Sequence, residues 1–267
     1  MAFSADKAVA CPRVADLLER FTHYVEGFDR NPPFTEEQLR VHLTTIKLRR
    51  MFRTVDDALE SKDFHRSLYE TLRLWGIGKR KSKLVPLDDF KTSLKRRAGD
   101  LRVLQDVKLD DEFREQSVTA RVWSLIAHLG IVENKNTVVA GTKCLHHLLP
   151  DIVPPMDREF TQTFFGWENT DFQYHPQECF EYAFRTLTRI GIKVRVSEYV
   201  GQRWRSSASK ILDNAAVGYC RAHGLESSNR KYDKRRKAKI AMLTTRAKEL
   251  GIYDDIVAEA KRRAEGS

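Results

Sequence analysis

The sequence has few cysteines and no long hydrophobic segment. It contains no run of about 18 apolar residues, the length that spans a bilayer as a helix, so we expect no transmembrane segment. The first ten residues lack the basic start and apolar core of a signal peptide. None of the four cysteines belongs to a CxxC pair: Cys11, Cys144, Cys179 and Cys220. These absences favour a soluble protein of a reducing cytoplasm.

Several catalytic signatures are also missing. The segment Gly76-Ile-Gly-Lys79 lacks the spacing of a GxxxxGK[ST] phosphate-binding loop, and neither GxSxG nor HExxH occurs. P-loop nucleotide hydrolases, hydrolases with a nucleophile elbow and zinc proteases of the HExxH type are therefore not indicated. Alternating strand patterns are scarce, so the sequence predicts an all-α protein.

Positive charge is abundant in this chain. Lys and Arg number 47 against 37 Asp and Glu in 267 residues, for a formal net charge of +10. The last segment, 221–267, holds thirteen basic and seven acidic residues, so over half of the surplus lies there. Such a surplus of positive charge attracts polyanions, and a phosphate backbone releases its counterions when lysines and arginines bind to it. We therefore expect a nucleic-acid partner, with no preference for DNA over RNA evident in the tail, and no membrane partner.

Apolar residues at helical spacing predict a series of helices through the chain. Thr35 and Gln38 form a predicted capping box before one of them. The segment 194–200 is consistent with either a short strand or a helix start. We place a helical domain, with two lobes around a cleft, at 1–220 and a basic helical extension at 221–267. The predicted helices are Pro12–Val25, Leu39–Arg50, Asp63–Trp75, Pro86–Leu94, Val118–Leu129, Thr137–Leu149, Phe160–Phe165, Pro176–Ile190 and Ser207–Arg221.

The most unusual stretch is Asn134–Gly166. An apolar helix is followed by a loop with prolines at 154 and 155, and the loop delivers Asp157 to the start of the next helix. Prolines fix φ and so restrain the approach of this acid. An Asp at a helix N-terminus is equally an ordinary cap, and this structural role is the alternative to a catalytic one.

This stretch resembles the active-site region of the helix-hairpin-helix DNA glycosylase superfamily. The segment 129–137 stands where the hairpin would be, Val138–Leu149 where its second helix would be, and Val153–Asp157 where the catalytic loop would be. Gly130-Ile131-Val132 lacks the second glycine of the hairpin motif. The resemblance covers about residues 35–220 and extends to distantly related bacterial proteins through 72–76 and 210–215.

The resemblance implies that Asp157 stabilises the sugar cation formed when a base leaves, and positions water. In lyase-competent members a lysine before the acid forms a Schiff base, and Lys143 is the candidate here. Lys143 lies fourteen residues before Asp157, which is not the spacing of the family. We therefore expect base hydrolysis without strand cleavage.

A glycosylase must also draw its nucleotide out of the duplex and stack the base in a pocket. Five aromatic residues are candidates for that stacking, although aromatic residues at helical spacing are more often core: Trp75, Trp123, Phe164, Trp167 and Tyr174. Basic and amide-bearing residues are candidates for phosphate contacts, with solvated loops or helix caps as the alternative: Lys79, Arg80, Lys81, Asn134, Lys135, Asn136, Thr137, Arg158, Arg235 and Arg236.

A zinc site is a weaker alternative. Cys144 and His147 would share one helix face, and His175 and Cys179 another, but neither pair has a recognised zinc spacing. We favour core cysteines and hydrogen-bonded histidines, with no metal and no cofactor.

We therefore expect a monomeric DNA glycosylase that excises a damaged or modified base, in repair or in defence against modified phage DNA. The competing hypothesis is a non-catalytic DNA- or RNA-binding protein that retains the fold.

Overall fold

A computed structural model describes residues 7–78, 83–109, 115–133, 137–168 and 170–225, together with residues 242, 245 and 248. The chain divides into two units, 1–225 and 226–267. The first unit carries all the elements discussed below. In the second, Met242, Thr245 and Lys248 are helical and exposed. The division expected at 220 falls inside the last helix of the first unit.

The described residues are mostly helical, and the predicted all-α class is confirmed for them. They contain no named strand and one isolated antiparallel bridge, Leu84–Val132. No helix among them is long and apolar enough to cross a bilayer. The helices are α1 Lys7–Glu19, α2 Phe21–Arg30, α3 Glu36–Met51, α4 Val55–Glu60, α5 Lys62–Leu74, α6 Leu87–Lys95, α7 Ala98–Leu104, α8 Glu115–His128, α9 Thr137–Leu148, α10 Thr161–Phe165, α11 Asp171–Tyr174, α12 Pro176–Val194 and α13 Ala208–Ala222, with a 3₁₀ turn at Val196–Tyr199.

Polar caps begin several of these helices. The capping box predicted at Thr35 is confirmed, because its hydroxyl accepts from the Gln38 amide while the Gln38 side chain accepts from the Thr35 amide. Thr54 and Asp57 form a second capping box at α4. Ser207 caps α13 by accepting from the Lys210 amide. These side chains satisfy amides that have no partner within the helix.

Two local predictions are wrong. The first predicted helix is two helices, since α1 begins at Lys7 and the backbone breaks at Arg20 before α2. The helix predicted to end at Ile190 continues through Gly191 to Val194. A Cβ at Gly191 would lie 3.2 Å from Val196, so close packing requires the glycine there. In the segment 194–200, for which the sequence left a strand and a helix start open, Val196–Tyr199 forms a 3₁₀ turn.

Helices α2 and α13 approach each other very closely. A Cβ built on Gly218 of α13 would lie 2.1 Å from the carbonyl oxygen of Tyr24 in α2. Only glycine allows the two helices to approach this closely. The contact fixes the position of α13, the helix that carries Lys210 and Asp213.

Candidate functional site

A small cleft of about 40 Å³ opens where the start of α3, the end of α5, α9, α13 and the proline loop 149–160 meet. This volume is well below the roughly 300–1,000 Å³ typical of small-molecule sites, so a base would enter only if side chains of the lining moved. The lining combines aromatic rings with two lysines and two carboxylates: Phe34, Gln38, Trp75, Lys143, Pro155, Asp157, Trp204, Lys210 and Asp213.

The proline loop that presents Asp157 is pinned to α9. Residues 152–156 are buried, and the Met156 amide donates to Thr142 Oγ1 at 3.1 Å. His146 Nδ1 donates to the Val153 carbonyl at 3.1 Å. Because both partners belong to one turn of α9, the loop is held on a rigid support. The carboxyl group of Asp157 is therefore fixed relative to the rest of the cleft.

Asp157 has a structural role as well as a place in the cleft. Its Oδ1 accepts from the Phe160 amide at 2.7 Å and from the Thr161 amide at 3.4 Å. The Asp157 amide in turn donates to Thr161 Oγ1. Oδ2 accepts no hydrogen bond from the described part of the chain. The side chain is half-buried, so one oxygen is anchored while the carboxyl group still reaches the cavity.

Lys143 projects from α9 into the same cleft. Its ammonium donates to the Trp75 carbonyl at 3.0 Å and lies 5.9 Å from the centre of the Trp75 ring. Burial lowers the pKa of Lys143, while the nearby carboxylates of Asp157 and Asp213 oppose this shift. Lys143 and Asp157 thus interact electrostatically without the close ion pair that would neutralise either group.

Lys210 and Asp213 form a buried ion pair one helical turn apart on α13. Lys210 Nζ donates to Asp213 Oδ2 at 2.5 Å and to Asn214 Oδ1 at 2.8 Å, and the lysine side chain is 1% exposed. Burial raises the pKa of Asp213, and the charge of Asp157 acts in the same direction while Lys210 opposes it. Asn214 Nδ2 donates to the Trp204 carbonyl, which ties the pair to the loop before α13.

Three buried histidines lie directly behind the cleft. His42 stacks on Trp75 and on Trp204, with ring centres 5.1 and 5.7 Å apart. His147 Nδ1 must donate to the Lys143 carbonyl, so its Nε2 accepts from His42 Nδ1 at 3.0 Å. His42 Nε2 then accepts from the Ser206 hydroxyl at 2.7 Å. This network supports the two tryptophans that form the cleft wall.

All three rings are uncharged in this arrangement. Burial lowers the pKa of His147 to about 4, although its hydrogen bond to the Lys143 carbonyl acts in the opposite direction. Burial also lowers the pKa values of His42 and His146 well below their ordinary range; His147 adds to the shift of both, and His146 adds to that of His42. Each ring is therefore a neutral hydrogen-bonding group at physiological pH.

These histidines are also the one cluster among the described residues with metal-ligand geometry. Ring nitrogens of His42, His146 and His147 lie within 4.8 Å of one another. Both nitrogens of His42 are engaged in the hydrogen-bond network, however, and Lys210 adds positive charge nearby. A cation would have to break that network without any carboxylate ligand. Neither Cys144 nor Cys179 belongs to a cluster of three possible ligands within the described ranges.

The chain matches no protein-family model, no curated protein and no solved structure. The chemistry of the cleft is therefore the basis for assigning a function.

Of the five aromatic residues predicted to stack on a base, the structure places Trp75 in the cleft wall. The other four do not line this cleft. Phe164 and Trp167 pack in the core, Tyr174 is 67% exposed, and Trp123 stacks on Phe180 beside a different hollow. Phe164 and Trp167 lie in the apolar interior because α10 buries most of its short length.

Eight of the ten predicted phosphate contacts lie outside the described residues. Thr137 begins α9 and lines the hollow beside Trp123 rather than the cleft, and Arg158 follows Asp157 and is half-buried, with a pKa that burial lowers. The others lie outside the described residues: Lys79, Arg80, Lys81, Asn134, Lys135, Asn136, Arg235 and Arg236.

Sequence reasoning missed half of the cleft. Phe34 and Gln38 come from around the start of α3 and Trp204 from the loop before α13, and no local pattern relates these two segments. Lys210 and Asp213 did carry a signal, since a lysine and an aspartate interrupt a helix that is otherwise buried on all sides. A charged pair at such a position must be satisfied internally, which marks it for a structural or functional role.

Proposed function

We propose that this chain is a DNA glycosylase-like hydrolase that excises a damaged or modified base from DNA, in repair or in defence against modified phage DNA. The observation that carries the proposal is the position of Asp157 on a rigid loop, in a cleft walled by aromatic rings. Cleavage of a glycosidic bond develops positive charge on the deoxyribose. A fixed carboxylate beside it stabilises that charge and orients water.

The state of Asp157 suits this role. The two backbone amides on Oδ1 hold the carboxyl group in place. Oδ2 remains available for the sugar or for the attacking water. Positioning of this kind contributes to catalysis because no reorganisation is needed when the charge develops.

The aromatic walls suit an extruded base. Phe34, Trp75 and Trp204 line the cleft beside the acid, and bases stack readily on such rings. The His42 network behind the two tryptophans holds their planes in place. The net charge of +10 would supply the attraction to the phosphate backbone.

Lys143 fits an electrostatic role better than a covalent one. Its ammonium is held by a hydrogen bond to the Trp75 carbonyl. The proposed reaction is therefore base hydrolysis without strand cleavage, and no step in it calls for a cofactor.

The experiment is a search for free bases by mass spectrometry after incubation with normal, damaged and phage-modified duplex DNA. Wild-type protein should release one base or a related group of bases, and Asp157→Asn should release none while it still binds the DNA.

One observation favours the competing function, a non-catalytic nucleic-acid-binding protein. The bond from the Phe160 amide to Asp157 Oδ1 is sufficient to explain an aspartate at this position as a cap. Binding with no base release from the whole substrate panel would support that function and contradict the enzymatic one.

A further inference from the structure

The ammonium of Lys210 is enclosed by aromatic rings. It lies 5.1 Å from the ring centres of Phe34 and Trp204, 5.4 Å from Phe28 and 5.8 Å from Trp75. Three of these rings, all except Phe28, also line the cleft. The surfaces on which a base would stack are therefore the same ones that surround the cation.

Aromatic cages of this kind bind cationic ligands, because the π faces carry negative potential. Here the cage is already occupied by a lysine of the chain itself. A second cation in the cleft would meet the charge of Lys210, and Asp213 is already paired with that lysine. The aromatic end of the cleft is therefore unfavourable for alkylated purines, which carry a positive charge.

A neutral base, in contrast, needs a positive charge near it when it leaves. When its bond to the sugar breaks, both electrons of the C1′–N bond leave with the base, which departs as an anion. Water adds its oxygen to C1′, and the proton that it loses ends on the departed base, so that charge and atoms balance. A cationic base departs neutral and gains nothing from a nearby ammonium.

Lys210 has one N–H remaining for such an anion. Two of its three N–H groups go to Asp213 and Asn214, and no acceptor for the third lies among the described residues. The lysine lines the cleft although it is almost entirely removed from solvent. A charge interaction in such a buried place is stronger than in water.

We propose that Lys210 makes the cleft selective for an uncharged base with an oxo group beside its glycosidic nitrogen, which leaves as an anion, and excludes cationic alkylated bases. This inference rests on the proposed function and narrows its substrate class. Lys210 would donate its third N–H to that oxo group and stabilise the negative charge as the bond breaks.

The first test is selectivity of the full-length wild-type protein. Duplexes that contain uracil, 5-hydroxymethylcytosine, 5-fluorouracil or 7-methylguanine are incubated in parallel, and released bases are measured. Release of one or more of the oxo-pyrimidines without 7-methylguanine supports the proposal. Release of 7-methylguanine at an equal or greater rate overturns the selectivity but leaves the glycosylase function standing. No release from any duplex contradicts both.

The second test separates stabilisation of the leaving base from a structural role. Lys210→Met should slow release of an oxo-pyrimidine by roughly 10²–10³-fold, the usual loss for one donor at a developing anion. The loss should be greater for uracil than for 5-fluorouracil, whose anion is more stable. Equal losses for the two bases would contradict the proposal.

Lys210→Arg keeps the positive charge and replaces Lys210→Met as the test variant if the Met variant fails to fold. It should retain the preference for neutral over cationic bases, and release of 7-methylguanine by this variant would contradict the role of the charge. Lys62→Met, which removes an exposed lysine, is the matched control and should leave both rates unchanged.

Discussion

Lowering the pH from 7 to 5 should destabilise this protein through its three buried histidines. His42, His146 and His147 are buried and neutral, and each has a lowered pKa. In the unfolded chain they would regain ordinary values near 6.5. The unfolded state therefore binds more protons than the folded state as the pH falls below that value. Their contribution to stability is complete above about pH 6.5 and decreases as the pH falls towards the folded pKa values.

The size of the effect can be worked out for His147. Its pKa falls from 6.5 to about 4 on folding. Each unit of difference corresponds to about 1.4 kcal/mol, so between pH 7 and pH 5 this residue alone should reduce the free energy of unfolding by about 2 kcal/mol. His42 and His146 act in the same direction. The total is large compared with the roughly 5–15 kcal/mol of a typical domain.

Urea denaturation at pH 7, 6 and 5, followed by circular dichroism, measures this dependence. His147→Gln should be less stable at pH 7 but should lose less free energy between pH 7 and 5 than the wild type. His23→Gln removes an exposed histidine and should keep the wild-type slope. Contributions common to all three proteins, such as that of Asp213, cancel in this comparison. A wild-type stability that stays constant from pH 7 to 5 would refute the neutral buried cluster.

Three further predictions concern packing and the cleft. Gly218→Ala should strongly lower the midpoint of thermal unfolding or prevent folding, because the added Cβ would meet the α2 backbone at 2.1 Å. The control Gly99→Ala, whose Cβ would have nothing within 4 Å, should leave the midpoint unchanged or slightly raised, and equal effects of the two changes would contradict the close helix contact. Trp75→Ala should abolish base release, while Trp123→Ala, at a residue that does not line the cleft, should retain it after correction for the folded fraction. A greater loss of rate in Trp123→Ala than in Trp75→Ala would contradict binding of the base in this cleft. Sodium borohydride should trap no covalent complex between the wild-type protein and a DNA substrate, since the reaction is proposed to proceed without a Schiff base; a trapped adduct on a denaturing gel would contradict this.

The helices could be predicted because their signals are local. The capping box at Thr35 and the apolar spacing of 118–129 depend on residues a few positions apart, and the structure has helices at both places. The end predicted for α12 at Ile190 is wrong for the same reason. A glycine near a helix end indicates a C-cap locally, but here it permits contact with Leu109 and Leu212, which are distant in sequence.

The cleft could be predicted only in part. Asp157 could be singled out because the adjacent prolines and the helix after it form one continuous pattern. The enclosure of Lys210 depends on rings from α2, the loop before α3, the end of α5 and the loop before α13. The pairing of His42 with His147 joins residues 105 positions apart. Such arrangements follow from helix packing, which a single sequence does not specify.

The most direct test of the account is the single-turnover rate of base release by wild type, Asp157→Asn and Asp151→Asn, measured by mass spectrometry on a duplex that the wild type cleaves. Asp151 lies on the same loop six residues earlier, is half-exposed, and does not line the cleft, so its variant is the matched control. We expect a wild-type rate for Asp151→Asn and a loss of at least about a hundredfold for Asp157→Asn, with DNA binding retained. Equal rates for all three proteins would contradict a catalytic role for Asp157.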